Sequence, residues 1–130
     1  MNSILHIYEL LDWNSSQEMQ EKGILLASQV KELSLLLQPC FEKYNKNIWE
    51  NCAIVVSQKT DDVLIPYLLQ LLEWVQDLNW PGAIIIYNRL LTFNNHICLN
   101  EAINSSLIRA QTVGDAIWQE TLLSIRERII

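Results

Sequence analysis

Glu73 and Asp77 stand four residues apart, so a helix would present both carboxylates on one face. Paired carboxylates can share general-acid and general-base work when a histidine or a further acid completes the arrangement. No such partner is placed by the sequence, and the pair reads as a solvated ridge or as contacts for a basic partner. His6 and His96 are far apart and fit no HxxxH or cysteine–histidine spacing, so no metal site is expected. Cys40, Cys52 and Cys98 form no CxxC pair, and an odd, sparse set points to reduced thiols in the cytoplasm rather than a disulfide scaffold. Cys52 falls on an apolar stripe and reads as a small buried hydrophobe. Nothing beside Cys40 or Cys98 would lower a thiol pKa enough to make a nucleophile. With no glycine-rich phosphate loop, GxSxG or dinucleotide fingerprint, the expectation is a protein that is not an enzyme and needs no cofactor.

Binding chemistry is better supplied. Aromatic anchors dominate protein interfaces, and the chain has five tryptophans. Trp49, Trp80 and Trp118 open apolar stripes and are expected in the core. Trp74 beside the Glu73 ridge and Trp13 in a loop-like stretch are the tryptophans with a prospect of exposure. Glu50, Asn51, Tyr87 and Asn88 fall on or beside exposed helical stripes. The candidate partner surface is therefore Glu50, Asn51, Glu73, Trp74, Asp77, Tyr87 and Asn88.

Those residues must be positioned by 130 residues, of which 50% are hydrophobic and 18% charged, with three Gly and three Pro. That length suits a single domain, residues 1–130, with a sizeable core. The scarcity of Gly and Pro and a mean hydropathy of +0.10 argue against disorder and turn-rich all-β folds. Fifteen acidic against nine basic residues give a charge of -6, which repels phosphate backbones and favours a basic protein partner over nucleic acid. The stretch MNSILHIYELLDW has no basic n-region and gains Glu9 and Asp12 early, unlike a signal peptide. Lys31, Glu32 and Arg89 interrupt the richest apolar stretches, so no membrane span is expected and the protein is expected in the cytoplasm.

Helical periodicity runs through the chain. Met19, Gly23, Leu26, Val30 and Leu33 recur at intervals of four and three, with Ser15 and Glu18 as a capping box ahead of them. Pro39 marks a break. Lys46 to Lys59 repeats the pattern through Trp49, Cys52, Ala53 and Val56. Thr60, Asp61 and Asp62 suit a helix start before VLIPYLLQLLEWVQD, in which Pro66 must sit in the first turns or kink the helix. Asn79 is expected to cap a helix with Pro81 in its first turn. Its inward stripe is Ala83, Ile86, Leu90 and Phe93, with Asn88, Arg89 and Thr92 outward. AIIIY at 83–87 is β-branched, yet its continuation past Leu90 favours helix. Asn94 and Asn95 break the chain before a stripe of Leu99, Ile103, Leu107 and Ala110. Gly114-Asp115 separates that helix from a last one on Trp118, Leu122, Ile125 and Ile129.

Asn47-Ile48-Trp49, Leu78-Asn79-Trp80 and Ala116-Ile117-Trp118 each look like the opening of a second helix in a pair. Recurrence at that interval is the mark of stacked helix pairs, whose inner helices line a concave face. The expected fold is all-α, a short solenoid of about seven or eight helices, with a plain bundle as the alternative.

Leu71-Leu72-Glu73-Trp74-Val75-Gln76-Asp77-Leu78-Asn79-Trp80-Pro81-Gly82-Ala83 resembles the signature of a family of bacterial HEAT-like proteins, written LLEWLQDxNWPxA, with Val75 in place of Leu. Leu64-Ile65-Pro66-Tyr67-Leu68 resembles its I-P-x-L opening. The resemblance covers roughly half the chain. It implies a HEAT-like fold and, because such small acidic helical proteins resemble immunity proteins, a cognate toxin domain as partner in a 1:1 complex. The toxin would be basic, a nuclease for example. A scaffold or adaptor module binding a peptide or protein is the alternative, and a DNA-repair enzyme is disfavoured by the charge.

Overall fold

In the computed structural model, which describes residues 3–129, every regular element among the described residues is helical. Met1 and Asn2, the first residues of the stretch read as carrying no basic leader, lie outside them. The order is α1 (Ile4–Leu11), α2 (Gln17–Ala27), a 3-10 turn (Leu33–Leu36), α3 (Lys46–Ser57), α4 (Asp61–Leu64), a 3-10 turn (Ile65–Tyr67), α5 (Leu68–Trp74), α6 (Ala83–Leu91), α7 (His96–Val113) and α8 (Ala116–Arg128). The all-α expectation holds, AIIIY included. Among the described residues no helix is long and apolar enough to cross a membrane. The chain groups into two compact units, the first ending at Gln58 and the second beginning at Lys59. Acidic residues outnumber basic ones by three in each.

In the first unit α1 packs on α2, and α3 packs on both and on the 3-10 turn. Ile7, Tyr8, Leu11, Leu36, Ile48 and Cys52 are among its buried side chains. Two local expectations are corrected here. The cap of α2 is Ser16, whose hydroxyl accepts from the Met19 N–H at 3.2 Å, while Ser15 donates to the Glu9 carbonyl at 2.9 Å. The stripe from Met19 to Leu33 is also interrupted. Met19 is exposed, α2 ends at Ala27, and Val30 lies in the connection beyond it. What packs is the small pair Gly23 and Ala27, because α1 passes so close that only small residues fit.

In the second unit α7 packs on α5 and α8, and α6 packs on the same two helices. Pro66 does not kink one long helix. It sits in a 3-10 turn that separates α4 from α5, as expected for a residue with no N–H to give and a ring that crowds the preceding turn. Asn79 does not cap α6. Asp77 accepts from the Asn79 N–H through its side chain at 2.8 Å and from the Trp80 N–H through its carbonyl at 3.0 Å. A second turn follows, with the Ala83 N–H on the Trp80 carbonyl at 3.0 Å, and Gly82 at φ 82° precedes the helix. A left-handed φ is strained for any residue with a Cβ, which gives this glycine its place. The Trp74 indole N–H then reaches across to the Pro81 carbonyl at 3.0 Å, so one motif writes a helix end, two turns and the clamp that closes them.

The tryptophan repeat is consequently uneven. Trp49 and Trp118 are buried inside helices and donate to the Pro39 and Leu72 carbonyls at 2.8 and 3.0 Å. Trp80 is half-buried in a turn. The stripes on α6 and α8 are as expected, with Ala83, Ile86, Leu90, Phe93, Trp118, Leu122, Ile125 and Ile129 all buried. On α7 Leu107 is half-buried and Ser106 takes the fully buried place. Gly114 ends α7 at φ 70°, and Asp115 caps α8 by accepting from the Trp118 N–H at 3.0 Å.

Candidate partner-binding groove

Helix α8 turns one side into the core through Trp118, Leu122 and Ile125, and the residues between them border an open groove. Its far wall is the pair of turns after α5. One hollow of about 480 Å³ is lined by Asp77, Leu78, Asn79, Trp80, Asp115 and Ile117 among others. A smaller one of about 170 Å³ is lined by Leu78, Tyr87, Glu120, Thr121 and Ser124. The two share Leu78 and Thr121 and so adjoin. The floor carries apolar surface from Leu78, Trp80 and Ile117, and Ile117 is 69% exposed.

The rim is acidic. Asp77 and Asp115 each spend one oxygen on a turn or cap N–H, and a carboxylate retains further acceptor capacity. Glu120 is exposed. At the narrow end the Tyr87 hydroxyl and the Ser124 hydroxyl share a hydrogen bond at 2.7 Å, and Arg128 donates to Tyr87 at 3.4 Å. The groove therefore offers apolar contact flanked by acceptors, the chemistry that receives an apolar side chain flanked by lysine or arginine.

The expected partner residues scatter across this geometry. Asp77 and Tyr87 line the groove. Asn88 is exposed on α6. Glu73 is bridged to Arg109 of α7 at 2.7 Å, and the Arg109 guanidinium lies 5.5 Å from the centre of the Trp118 ring. Its charge is thus already balanced. Trp74 is fully buried and holds Pro81, so it offers no surface to a partner. In the first unit Glu50 is exposed on α3. Asn51 is 7% exposed and donates to the Leu11 carbonyl at 2.8 Å and to Gln20 Oε1 at 2.9 Å. Asn51 and Trp74 are corrected accordingly: both hold the fold. Leu78, Trp80, Ile117, Glu120 and Ser124 were missed as site residues. The available signal was Ile117 beside Trp118, two large apolar residues that one helix cannot turn the same way.

Arg89, expected to point outward, is held inside a clasp. Its guanidinium donates to Asp61 at 2.6 Å and to the Lys59 carbonyl at 2.9 Å, and Asp61 also accepts from the Asn94 N–H at 2.9 Å. Burial pushes the Asp61 carboxyl up, but the Asn94 N–H and the Arg89 cation outweigh it and hold the group below the usual carboxylate range. A depressed folded pKa gives stability that is present above the unfolded value and lost as pH falls through the folded one. Asp61→Asn should lower the thermal midpoint by roughly 3–6 °C at pH 7. The gap from wild type should close on acidification below the ordinary carboxylate range, and midpoints that stay parallel down that range would contradict the clasp.

Thiol chemistry is placed unequally. Burial pushes Cys52 up to about 12, whereas Cys40 is exposed. Iodoacetamide at pH 8 should label Cys40 in the native chain and reach Cys52 only in denaturant, as read by peptide mass. Native labelling of Cys52 would contradict its enclosure. Among the described residues no three His, Cys, Asp or Glu side chains gather closely enough to hold a metal ion.

Residues 42–128 match the model of a family described as a domain of unknown function, DUF5071. No curated protein and no solved structure matches the chain. The matched stretch contains α3 to α8 and the whole groove.

Proposed function

The chain belongs to the DUF5071 family, and we propose that it is an immunity protein, a cytoplasmic binding protein without catalytic activity that neutralises a cognate bacterial toxin domain. The observation that carries this reading is the acid-rimmed apolar groove of the second unit. Asp77, Asp115 and Glu120 surround Leu78, Trp80 and Ile117 on a protein of net charge -6. Such a surface suits a basic toxin, for example a nuclease whose active site must attract phosphate. Opposite charge speeds encounter, and desolvation of a few apolar anchors supplies the slow dissociation. Inhibition then needs shape and charge alone, since a bound protein excludes substrate by occupying its place. The resemblance of the Leu71–Ala83 stretch to HEAT-like proteins akin to immunity proteins supports the same assignment.

The test is co-expression with the product of the gene directly upstream. Growth rescue together with a 1:1 co-purified complex is the expected result. Toxicity undiminished by this chain, or an upstream product that is harmless alone, would overturn the proposal for that pair and leave a scaffold or adaptor role. Within a complex, Glu120→Lys with Ile117→Lys, which puts two positive charges at the groove, should slow association at least about tenfold at low salt and flatten its salt dependence. An unchanged association rate would move the interface elsewhere.

A further inference from the structure

Trp13 stands in a loop whose backbone is tied down by hydrogen bonds while its side chain stays exposed. Its N–H donates to the Asn47 carbonyl of α3 at 3.0 Å, and its carbonyl accepts from Gln20 Nε2 of α2 at 3.2 Å. Gln20 Nε2 also reaches the Ser15 carbonyl at 2.8 Å, and Gln20 Oε1 is held by Asn51 at 2.9 Å. Asp12 accepts from Asn14 N and from Asn47 Nδ2, each at 2.9 Å, and its carbonyl receives the Ser15 N–H at 2.9 Å. The turn is thus tied to all three helices of the first unit. Yet the indole is 53% exposed, the most open of the five tryptophans. A slack loop could leave a tryptophan outside by default, but this loop has its backbone groups satisfied and its position fixed.

With its backbone already fixed, Trp13 has only two side-chain torsions left to lose on binding, which favours tryptophan as an energetic centre of an interface. The charge around it selects the partner. The first 21 residues contain Glu9, Asp12, Glu18 and Glu21 and no lysine or arginine. Lys46 adjoins the Asn47 that holds the turn, yet the first unit as a whole carries seven acidic residues against four basic. An electron-rich indole face on a unit of net negative charge attracts a guanidinium or ammonium group, and that charge disfavours an anionic membrane. We infer that Trp13 is the anchor of a second interaction surface, which stacks against an arginine of a basic protein segment. Trp13 belongs to the first unit and precedes the stretch that matches the family, whereas the groove residues belong to the second unit.

The experiment uses the full chain labelled with 15N, whose five tryptophans give five indole signals, that of Trp13 being the one absent in Trp13→Phe. The probe is an acetylated hexa-arginine amide, with hexacitrulline as the uncharged counterpart of the same shape. Hexa-arginine should shift the Trp13 indole and the Asn14 and Gln20 signals, and hexacitrulline should not. Trp13→Ala should weaken hexa-arginine binding about tenfold. Trp13→Phe, which keeps an aromatic face, should stay within about threefold of wild type. Both substitutions remove exposed surface, and matching circular dichroism spectra confirm that the fold is kept.

Three results would overturn the inference. One is hexa-arginine binding undiminished in Trp13→Ala, which means diffuse attraction to acidic surface. Another is a Trp13 signal that moves with protein concentration alone, which assigns the ring to a second copy of the chain. The last is a Trp13 signal that responds to phosphatidylglycerol vesicles and not to the peptide. Glu120→Lys with Ile117→Lys should leave the Trp13 response intact, so failure of the groove and failure of this surface are separately visible.

Discussion

Trp118→Ala should destabilise the chain by about 3–5 kcal/mol, the range for truncating a buried aromatic side chain. Trp118 is 2% exposed on α8, and its indole N–H donates to the Leu72 carbonyl of α5 at 3.0 Å. Truncation therefore empties a large volume at the junction of two helices and leaves the Leu72 carbonyl with only the Val75 N–H at 3.3 Å, and the two losses act together. Arg109, stacked over the ring and bridged to Glu73, loses the surface that orients it. Urea unfolding followed by circular dichroism should show the midpoint falling with an unchanged slope, and the thermal midpoint should drop by roughly 10–20 °C. Trp118→Phe separates the causes, because it keeps most of the volume and removes the donor. It should recover more than half of the loss. If Trp118→Ala costs less than about 1 kcal/mol, the burial of this ring is not what joins α8 to α5.

Gly23→Ala should cost about 1–3 kcal/mol, although alanine is the better helix former by nearly 1 kcal/mol. The sign is decided by space. A Cβ at residue 23 would stand 2.8 Å from Leu10 Cβ and 3.1 Å from the Leu10 carbonyl carbon, with Leu11 Cδ2 at 3.2 Å. Two of these atoms belong to or adjoin the backbone of α1 and cannot swing aside, so α1 and α2 must separate. Gly114→Ala is the natural comparison: nothing lies within 4 Å of its would-be Cβ, and its cost comes from φ 70° alone. Hydrogen exchange should report the Gly23→Ala damage in α1 and α2, the helices forced apart. A stabilised Gly23→Ala protein would mean that the helix pair has room it does not show.

Periodicity made most of the helices legible before any coordinates. The stripes of α3, α6 and α8 are regular, and each buries the residues its spacing names. The cap was legible at Gly114-Asp115, where one acceptor follows a glycine, and ambiguous where several polar residues competed. Ser15 and Ser16 are chemically equivalent choices, and α1 decided between them by offering the Glu9 carbonyl to Ser15. Asn79-Trp80-Pro81 fits a helix start by residue type, but Asp77 captures the Asn79 N–H first and makes a turn. The candidate surface fared unevenly for a related reason. Asn51 and Trp74 carry binding chemistry that the fold uses internally, Asn51 on the Leu11 carbonyl forty residues away and Trp74 on the Pro81 carbonyl of the turns that follow it. Ile117 and Leu78 are apolar by type yet lie at the surface, because the inward side of their helix or turn is taken by Trp118 and Trp74.

By itself the sequence determined the helical class, the acidic charge, and the apolar stripe of each regular helix, since these follow from residue type and an angle of 100° per residue. The tertiary structure decided which polar side chains remain for a partner, where Gly23 lets two helices meet, and how Asp77, Ile117 and Glu120 come to border one groove. Those outcomes depend on which atoms from other segments arrive within hydrogen-bonding or van der Waals distance, and no local spacing encodes that competition.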